Sequence, residues 1–156
     1  MNRTVVHDTF VIERTLAAAP SRAFAAFADP AAKVSWWGDD DIEKGAAHEV
    51  DFRIGGRESL RAELPNGGPS VTYDAVYQDI VESSRIVYSY EMTMDGRRIS
   101  VSVATLEFYA EGDGEKTRFI LTEQGAYLDG LDTAVQREEG TRGLLDNLAA
   151  YLEDSK

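Results

Sequence analysis

The sequence predicts one α+β domain over residues 1–156, in which a curved antiparallel sheet wraps around a long C-terminal helix. Three observations lead to this prediction. Apolar and polar residues alternate with a period of two through most of the chain from Ala46 to Gln124. Two short helical patterns precede that region. The period becomes helical again from about Leu131 to Glu153.

The first strand is predicted over Thr9–Leu16. Phe10, Ile12 and Leu16 lie on one side of it, which is the pattern of a half-buried strand. Arg14 falls in the same phase. We therefore expect this arginine to point inward with the apolar side chains.

Two short helices are predicted next. Pro20 suits the first turn of a helix, because its missing N–H is not needed there. Asp29 is a good N-cap for a second helix that starts at Pro30. This helix is expected to end after Trp36-Trp37, at Gly38.

An antiparallel meander of six strands follows the two helices. The first four strands are predicted at Ala46–Ile54, Glu58–Leu64, Val71–Val81 and Arg85–Met94. Turn signals separate them at Gly55-Gly56, at Pro65–Pro69 and, after the last, at Asp95-Gly96. The Asp-Gly pair favours a two-residue hairpin turn.

The alternation in these strands predicts which side chains face the core. The inward residues are His48, Val50, Phe52, Ile54, Tyr73, Tyr77, Ile86, Tyr88, Tyr90, Met92 and Met94. Several of them carry a polar group, which must find a hydrogen-bond partner if it is buried.

The fifth strand of the meander, Arg97–Ala110, contains a change of phase. Its apolar residues are Ile99, Val101 and Val103 in one phase and Leu106 and Phe108 in the other. A β-bulge near Ala104 would bring both groups to the same face. The sixth strand is predicted over Thr117–Gln124, and there Glu123 shares the inward phase of the apolar side chains.

The C-terminal helix has an apolar side made of Val135, Leu144, Leu145, Leu148, Ala149 and Leu152. Gly140 and Gly143 interrupt it, and each costs about 1 kcal/mol relative to alanine in a helix interior. The sequence suggests either a close approach to the sheet or a local bend at these glycines.

Composition excludes several classes of function. The chain has 28 acidic and 16 basic residues and a net charge of −12, which disfavours binding to nucleic acid or to anionic lipid. It has no cysteine, which excludes disulfides and thiolate metal sites. No apolar run is long enough to span a membrane and no secretory signal opens the chain, so we expect a soluble, cytoplasmic protein.

Motifs for metals, nucleotides and serine nucleophiles are missing. His7 and His48 lie far apart, and Asp39-Asp40-Asp41 lacks the alternation of a calcium loop, so no metal site is expected. No Gly-Lys-Ser or Gly-Lys-Thr of a phosphate loop and no nucleophile elbow occurs. We therefore expect no cofactor.

The order and spacing of several short segments resemble a known family. They are Ile12–Thr15, Ala19-Pro20, Phe27–Pro30, Trp36–Gly38, Gly55-Gly56, Asp79-Ile80, Arg85–Tyr88, Thr117–Phe119 and Gly143–Leu148. In this respect the chain is similar to small bacterial proteins related to the C-terminal domain of the heat-shock protein 90 ATPase activator. That family belongs to the START-like (SRPBCC, birch-pollen-allergen-like) superfamily.

The resemblance implies the helix-grip fold, with a cavity between sheet and long helix that binds small apolar or amphipathic molecules. Proteins of this superfamily include lipid carriers, hormone receptors, polyketide cyclases, drug-sequestering proteins and the co-chaperone domain itself. The fold does not choose among these functions.

The candidate ligand-binding residues are the inward aromatic and polar side chains together with the tryptophan pair. They are Trp36, Trp37, His48, Phe52, Tyr73, Tyr77, Tyr88, Tyr90, Met92 and Glu123. Each tyrosine hydroxyl can hold a ligand or bond the backbone, and at least one tryptophan is expected to fill the core. Glu123 is a general acid or base if buried among apolar residues, but a structural group if it pairs with Arg14 or His48.

Three functions remain open on this basis. The first is a binding module that carries, senses or sequesters a small hydrophobic ligand without covalent chemistry. The second is an enzyme of the cyclase or aromatase type that moves a proton with Glu123 or His48. The third is an interaction domain that stimulates a chaperone ATPase. The sequence also leaves open a homodimer.

Overall fold

The computed structural model describes residues 3–37, 47–64 and 67–154, and its elements confirm the predicted fold class. The helices are α1 (Pro20–Ala28), α2 (Pro30–Trp36) and α3 (Ala134–Asp154). The strands are β1 (Val5–Leu16), β2 (Ala47–Val50), β3 (Arg57–Glu63), β4 (Ser70–Val81), β5 (Arg85–Met94), β6 (Arg97–Glu111) and β7 (Lys116–Leu128). Gly38, Asp39-Asp40-Asp41 and Pro65-Asn66 lie outside the described residues.

The seven strands form one antiparallel sheet in the order β1-β7-β6-β5-β4-β3-β2. Strands from β2 to β7 pair with their neighbours in sequence, whereas β1 crosses over to pair with β7. The curved sheet, the two short helices after β1 and the C-terminal helix together make the helix-grip fold. None of the described helices is long and apolar enough to cross a bilayer.

The core lies between the helices and the inner face of the sheet. From α1, Phe24 and Phe27 pack against Phe108 of β6 with ring centroids 5.5 and 5.7 Å away. From α3, Leu145, Leu148 and Leu152 are fully buried at the spacing of one helical face. Arg14 also connects β1 to α3. It points inward, as predicted, and its Nη1 atom lies 2.7 Å from Oδ1 of Asp146.

The strand predicted over Ala46–Ile54 is wrong in its second half, because β2 ends at Val50. Beyond it the chain turns, and a Cβ on Gly56 would lie 2.1 Å from the carbonyl oxygen of Asp51. The turn instead pairs with β4, since Gly55 N donates to the carbonyl of Tyr77 at 2.7 Å. Ile54 is consequently 62% exposed rather than inward.

The bulge predicted near Ala104 is also misplaced. Met92 pairs with Ser100 and Thr93 with Arg98, so the extra residue of β6 is Ile99. Every second residue from Ser100 to Phe108 therefore faces inward, while Val101 and Val103 are exposed. This assignment matters for the site, because it turns the Ser100 hydroxyl toward α3.

Two details of the hairpins and helices are as the sequence predicts. Asp95 and Gly96 both adopt positive φ, as a two-residue turn between β5 and β6 requires. The Asp29 side chain accepts a hydrogen bond from Ala31 N and caps α2. The prediction for Val135 is wrong, since this first-turn residue of α3 is 68% exposed.

Candidate functional site

A pocket of about 600 Å³ lies between α3 and the inner face of β3, β4, β5 and β7. We call it the central pocket. Its walls are mainly apolar and aromatic, and they are formed by Phe27, Trp37, Leu60, Val71, Tyr73, Tyr88, Tyr90, Met92, Leu121, Leu144 and Leu145. The inward phase of β4 and β5 supplies the tyrosines, because alternate residues of a strand face the same side.

The two glycines of α3 lie at the mouth of the central pocket. Gly140 and Gly143 share a helical stripe with Gln136 and Asn147, and all four line the pocket. A Cβ on either glycine would meet no atom within 4 Å. Of the two alternatives, the close approach to the sheet is therefore wrong. The glycines instead leave space beside a helix that continues through both of them.

A buried network of hydrogen bonds joins three residues of the pocket lining, Tyr90, Glu123 and Arg137. The Tyr90 hydroxyl donates to Oε2 of Glu123 at 2.8 Å and accepts a hydrogen bond from Nη1 of Arg137 at 2.8 Å. The same Nη1 atom lies 3.8 Å from Oε2 of Glu123, too far for a direct hydrogen bond. Tyr90 thus stands between the carboxylate and the guanidinium.

Arg137 is held by further groups at this end of α3. Its Nη2 atom donates to Oδ2 of Asp132 at 2.5 Å and to Oγ of Ser100 at 2.8 Å. Its guanidinium carbon lies 5.6 Å from the ring centre of Tyr90 and 5.7 Å from that of Tyr127. These contacts fix the guanidinium against the sheet, and Asp132 compensates its charge.

The Glu123 carboxyl is only 2% exposed. Burial raises the pKa of Glu123 to about 6, although the Tyr90 hydrogen bond and the charge of Arg137 act to lower it. Burial and the neighbouring Glu123 also raise the pKa of Tyr90, which keeps that phenol protonated as a donor. The carboxyl can therefore exchange a proton near neutral pH.

The Tyr73 side chain brings a poorly satisfied polar atom to the pocket. Its hydroxyl is buried beside that of Tyr88 and makes no well-formed hydrogen bond with any described residue. The ring lies 4.8 Å from that of Tyr90 and 5.7 Å from that of Trp37, between centroids. A buried hydroxyl without a partner costs free energy unless a bound molecule satisfies it.

A second buried polar cluster lies outside the pocket, where α2 meets β2, β3 and β4. Glu58 accepts hydrogen bonds from Lys33 Nζ at 2.9 Å and from the Tyr77 hydroxyl at 2.5 Å, and its other oxygen lies 2.8 Å from His48 Nε2. Burial alone would raise the pKa of Glu58. The charge of Lys33 and the hydrogen bonds from His48, Tyr77 and Lys33 outweigh burial and lower the pKa to about 2.

The structure separates the ten sequence-predicted site residues into two groups. Those that line the central pocket are Trp37, Tyr73, Tyr88, Tyr90, Met92 and Glu123. Those that lie elsewhere are Trp36, His48, Phe52 and Tyr77. Trp36 fills the core and donates to the carbonyl of Ala26 at 2.9 Å, while Phe52 packs edge-on against Phe24 and Tyr77. Arg14 and His48 were the partners expected for Glu123. Arg14 instead binds Asp146, and His48 binds Glu58.

Sequence reasoning missed Arg137, Lys33 and Glu58. A signal for Arg137 was present, because it lies four residues before Thr141 and eight before Leu145, on the buried face of α3. Glu58 gave no such signal, since polar residues occupy both phases at the start of β3. The described residues contain no group of three His, Asp or Glu side chains that could hold a metal ion.

The chain is similar to a family of known proteins over most of its length. Residues 17–153 match the family described as Activator of Hsp90 ATPase homolog 1-like protein. No curated protein matches the chain.

Solved structures resemble it along the whole chain. A protein from Rhizobium loti is 49% identical, with a TM-score of 0.86 and coverage of 95% of this chain and 99% of that one. A protein from Rhizobium leguminosarum is 39% identical, with a TM-score of 0.92 and coverage of 99% and 100%. The AHSA1 protein from Silicibacter pomeroyi is 22% identical with a TM-score of 0.75 over 96% of this chain and all of that one, a likeness of fold.

Proposed function

The chain belongs to the family of Activator of Hsp90 ATPase homolog 1-like proteins, and from that premise we propose that it binds a small hydrophobic or amphipathic molecule in the central pocket. Family and fold support a ligand-binding domain in general. The finer proposal is a carrier, sensor or sequestering protein whose bound molecule is not chemically changed.

One observation carries this proposal. The central pocket has a volume of about 600 Å³ and combines an apolar, aromatic wall with a few buried polar groups. Pockets of this size and composition are typical of small-molecule sites, where apolar area supplies affinity and polar groups supply orientation. Apolar burial contributes roughly 25 cal/mol per Å², so a ligand that covers the tyrosines gains several kcal/mol.

The glycines of α3 add a second argument. Alanine at Gly140 or Gly143 would favour the helix by about 1 kcal/mol and would meet no atom. The chain thus forgoes helix stability at two positions that line the pocket. A site that must admit a ligand gives a reason for this cost.

Native mass spectrometry tests the proposal. The freshly purified protein is expected to carry a small-molecule adduct that is lost on denaturation, and to bind the neutral fluorophore N-phenyl-1-naphthylamine. The side chain introduced by Gly143→Leu fills the mouth of the pocket. It should weaken the binding of the co-purified molecule and of the fluorophore by about tenfold or more. The matched control is Ala150→Leu, which adds the same side chain to an exposed position of α3 outside the pocket. Equal binding by wild type and Gly143→Leu would contradict the proposal.

A second candidate function is favoured by one observation, the raised pKa of Glu123. A carboxyl with a pKa of about 6 in an apolar pocket is suited to general acid or base catalysis. His48 is less suited, because Glu58 holds it outside the pocket. This alternative predicts that Glu123→Gln binds a substrate normally but no longer converts it.

A further inference from the structure

We propose that the ligand of the central pocket is a hydrophobic cation, an amine or quaternary ammonium whose positive head lies between Glu123 and the rings of Tyr73 and Tyr90. This inference rests on the proposed binding function and narrows it to one chemical class. The tail of such a molecule would lie along the apolar wall toward Leu60 and Met92.

The charges that line the pocket are predominantly acidic. Among the described residues of the lining, Glu123, Asp132, Glu139 and Asp146 carry four negative charges, against one positive charge on Arg137. Arg14 adds a second positive charge where it bonds Asp146. The balance remains negative, and an apolar wall strengthens its effect on a bound ion.

The buried cations Arg137 and Lys33 are both already paired with carboxylates. Both terminal nitrogens of Arg137 already donate to described residues, and Asp132 compensates its charge at 2.5 Å. Lys33 is not part of the pocket lining, and its ammonium is bonded to Glu58 at 2.9 Å. A ligand carboxylate would therefore meet, among the described residues of the lining, an arginine already paired with a carboxylate, and it would lie beside the buried Glu123 carboxyl.

A cation, by contrast, finds unused acceptors. Glu123 receives the Tyr90 hydrogen bond on Oε2, which leaves its second oxygen, Oε1, as an acceptor outside that bond. The Tyr73 hydroxyl is buried, makes no well-formed hydrogen bond with a described residue, and keeps a lone pair to offer even where it lies beside the Tyr88 hydroxyl. Both groups line the same pocket, and Tyr90 contacts each of them.

The aromatic wall is suited to the same ligand. The rings of Trp37, Tyr73, Tyr90 and Tyr88 follow one another with centroid separations of 5.7, 4.8 and 5.8 Å. Aromatic faces attract desolvated cations and are the usual surroundings of a bound quaternary ammonium. Rings and carboxylate together recognise a positive head, whereas rings alone would accept any apolar ligand.

Three ligands with the same tail test the inference: octyltrimethylammonium, 1-octanol and octanoate, titrated into the protein by calorimetry at pH 7.5. We expect the cation to bind about tenfold more tightly than the alcohol, and octanoate more weakly than the alcohol. Glu123→Gln should reduce the preference for the cation over octanol to about threefold or less. Glu115→Gln is the matched control, because it removes one negative charge from the exposed turn just before β7, outside the pocket lining.

The outcomes separate this inference from the proposed function. If octanol or octanoate binds as tightly as the cation, the inference is wrong but a hydrophobic pocket remains. If none of the three ligands binds, both fail. A full preference for the cation in Glu123→Gln would also overturn the inference. If that variant does not fold, the comparison of the three ligands on the wild-type protein still decides.

Discussion

Lys33 Nζ lies 2.9 Å from Oε1 of Glu58, with both side chains almost completely buried. This pair joins α2 to β3 next to the central pocket. The same ammonium lies 4.2 Å from the ring centre of Trp37, which lines the pocket. The buried ion pair thus positions one wall of the site without contributing a polar group to it.

Removing one partner of this pair is expected to destabilise the protein strongly. Lys33→Met leaves the Glu58 carboxylate buried without its cation, and Glu58→Gln leaves the ammonium without its anion. Each loss should cost about 3–5 kcal/mol in the free energy of unfolding, measured in urea. The double variant should cost less than the sum of the two, because neither charge is then left alone.

The exposed pair of Glu13 and Arg118 is the control for that experiment. Its side chains are 55% and 46% exposed. Glu13→Gln should therefore change the free energy of unfolding by less than about 1 kcal/mol. Equal effects at the buried and the exposed pair would contradict the role assigned to burial.

The low pKa of Glu58 predicts a loss of stability in acid. Its folded-state pKa of about 2 lies below the ordinary value of 4.5, so the stabilisation is complete above about pH 5 and is lost as the pH falls toward 2. The difference corresponds to about 3 kcal/mol. Urea unfolding of wild type and Glu58→Gln should show the two stabilities converging over this range, and a constant difference would be evidence against the assignment.

Local patterns were enough to predict most of the fold. The inward phase of Glu123 and the hairpin at Asp95-Gly96 follow from alternation and from the turn chemistry of neighbouring residues, and both are found. Such features depend on a few adjacent residues. Sequence therefore predicts them without knowledge of the packing.

Features that depend on distant partners were not predicted. The bulge at Ile99 turns two serines inward and two valines outward, which is unfavourable for apolar burial alone. Ser100 is nevertheless buried where it bonds Arg137, 37 residues away in sequence. Glu58 and Lys33 likewise meet only after folding, so neither alternation nor spacing could pair them.

Alanine in place of Gly143 is expected to stabilise the protein. The new methyl group meets no atom within 4 Å and removes the conformational freedom of a glycine from the helix. The free energy of unfolding should rise by about 1 kcal/mol, and Gly140→Ala should behave similarly. Gly56→Ala is the contrasting variant, because its Cβ would lie 2.1 Å from a carbonyl oxygen, and it should destabilise. A destabilised Gly143→Ala would show that the glycine has a conformational role.

Glu123 is expected to reduce stability at neutral pH. Its folded-state pKa of about 6 lies above the ordinary value of 4.5, so its contribution is fully present below about pH 4.5 and is lost as the pH rises through 6. Glu123→Gln keeps an acceptor for Tyr90 and does not ionise. Relative to wild type, the free energy of unfolding of the variant should rise by about 2 kcal/mol between pH 4 and pH 7.5, as measured in urea. Glu115→Gln should show no such change with pH.

The affinity for octyltrimethylammonium should depend on the same titration. This ligand has a permanent charge, so a change in its affinity reports on the protein. The groups that face Glu123 are Tyr90 of β5, Arg137 of α3 and Asp132 before it, while Phe10 and Ala104 opposite it on β1 and β6 are uncharged. Since only the ionised carboxyl attracts the cation, the affinity should be constant above about pH 7. It should fall as the pH drops through 6 and level off at about the affinity of Glu123→Gln, since the protonated carboxyl is neutral like the amide. Calorimetry on wild type and Glu123→Gln over this pH range measures the affinity. If the affinity of the variant shows the same pH dependence, another group titrates, and Asp132 is the next residue to replace.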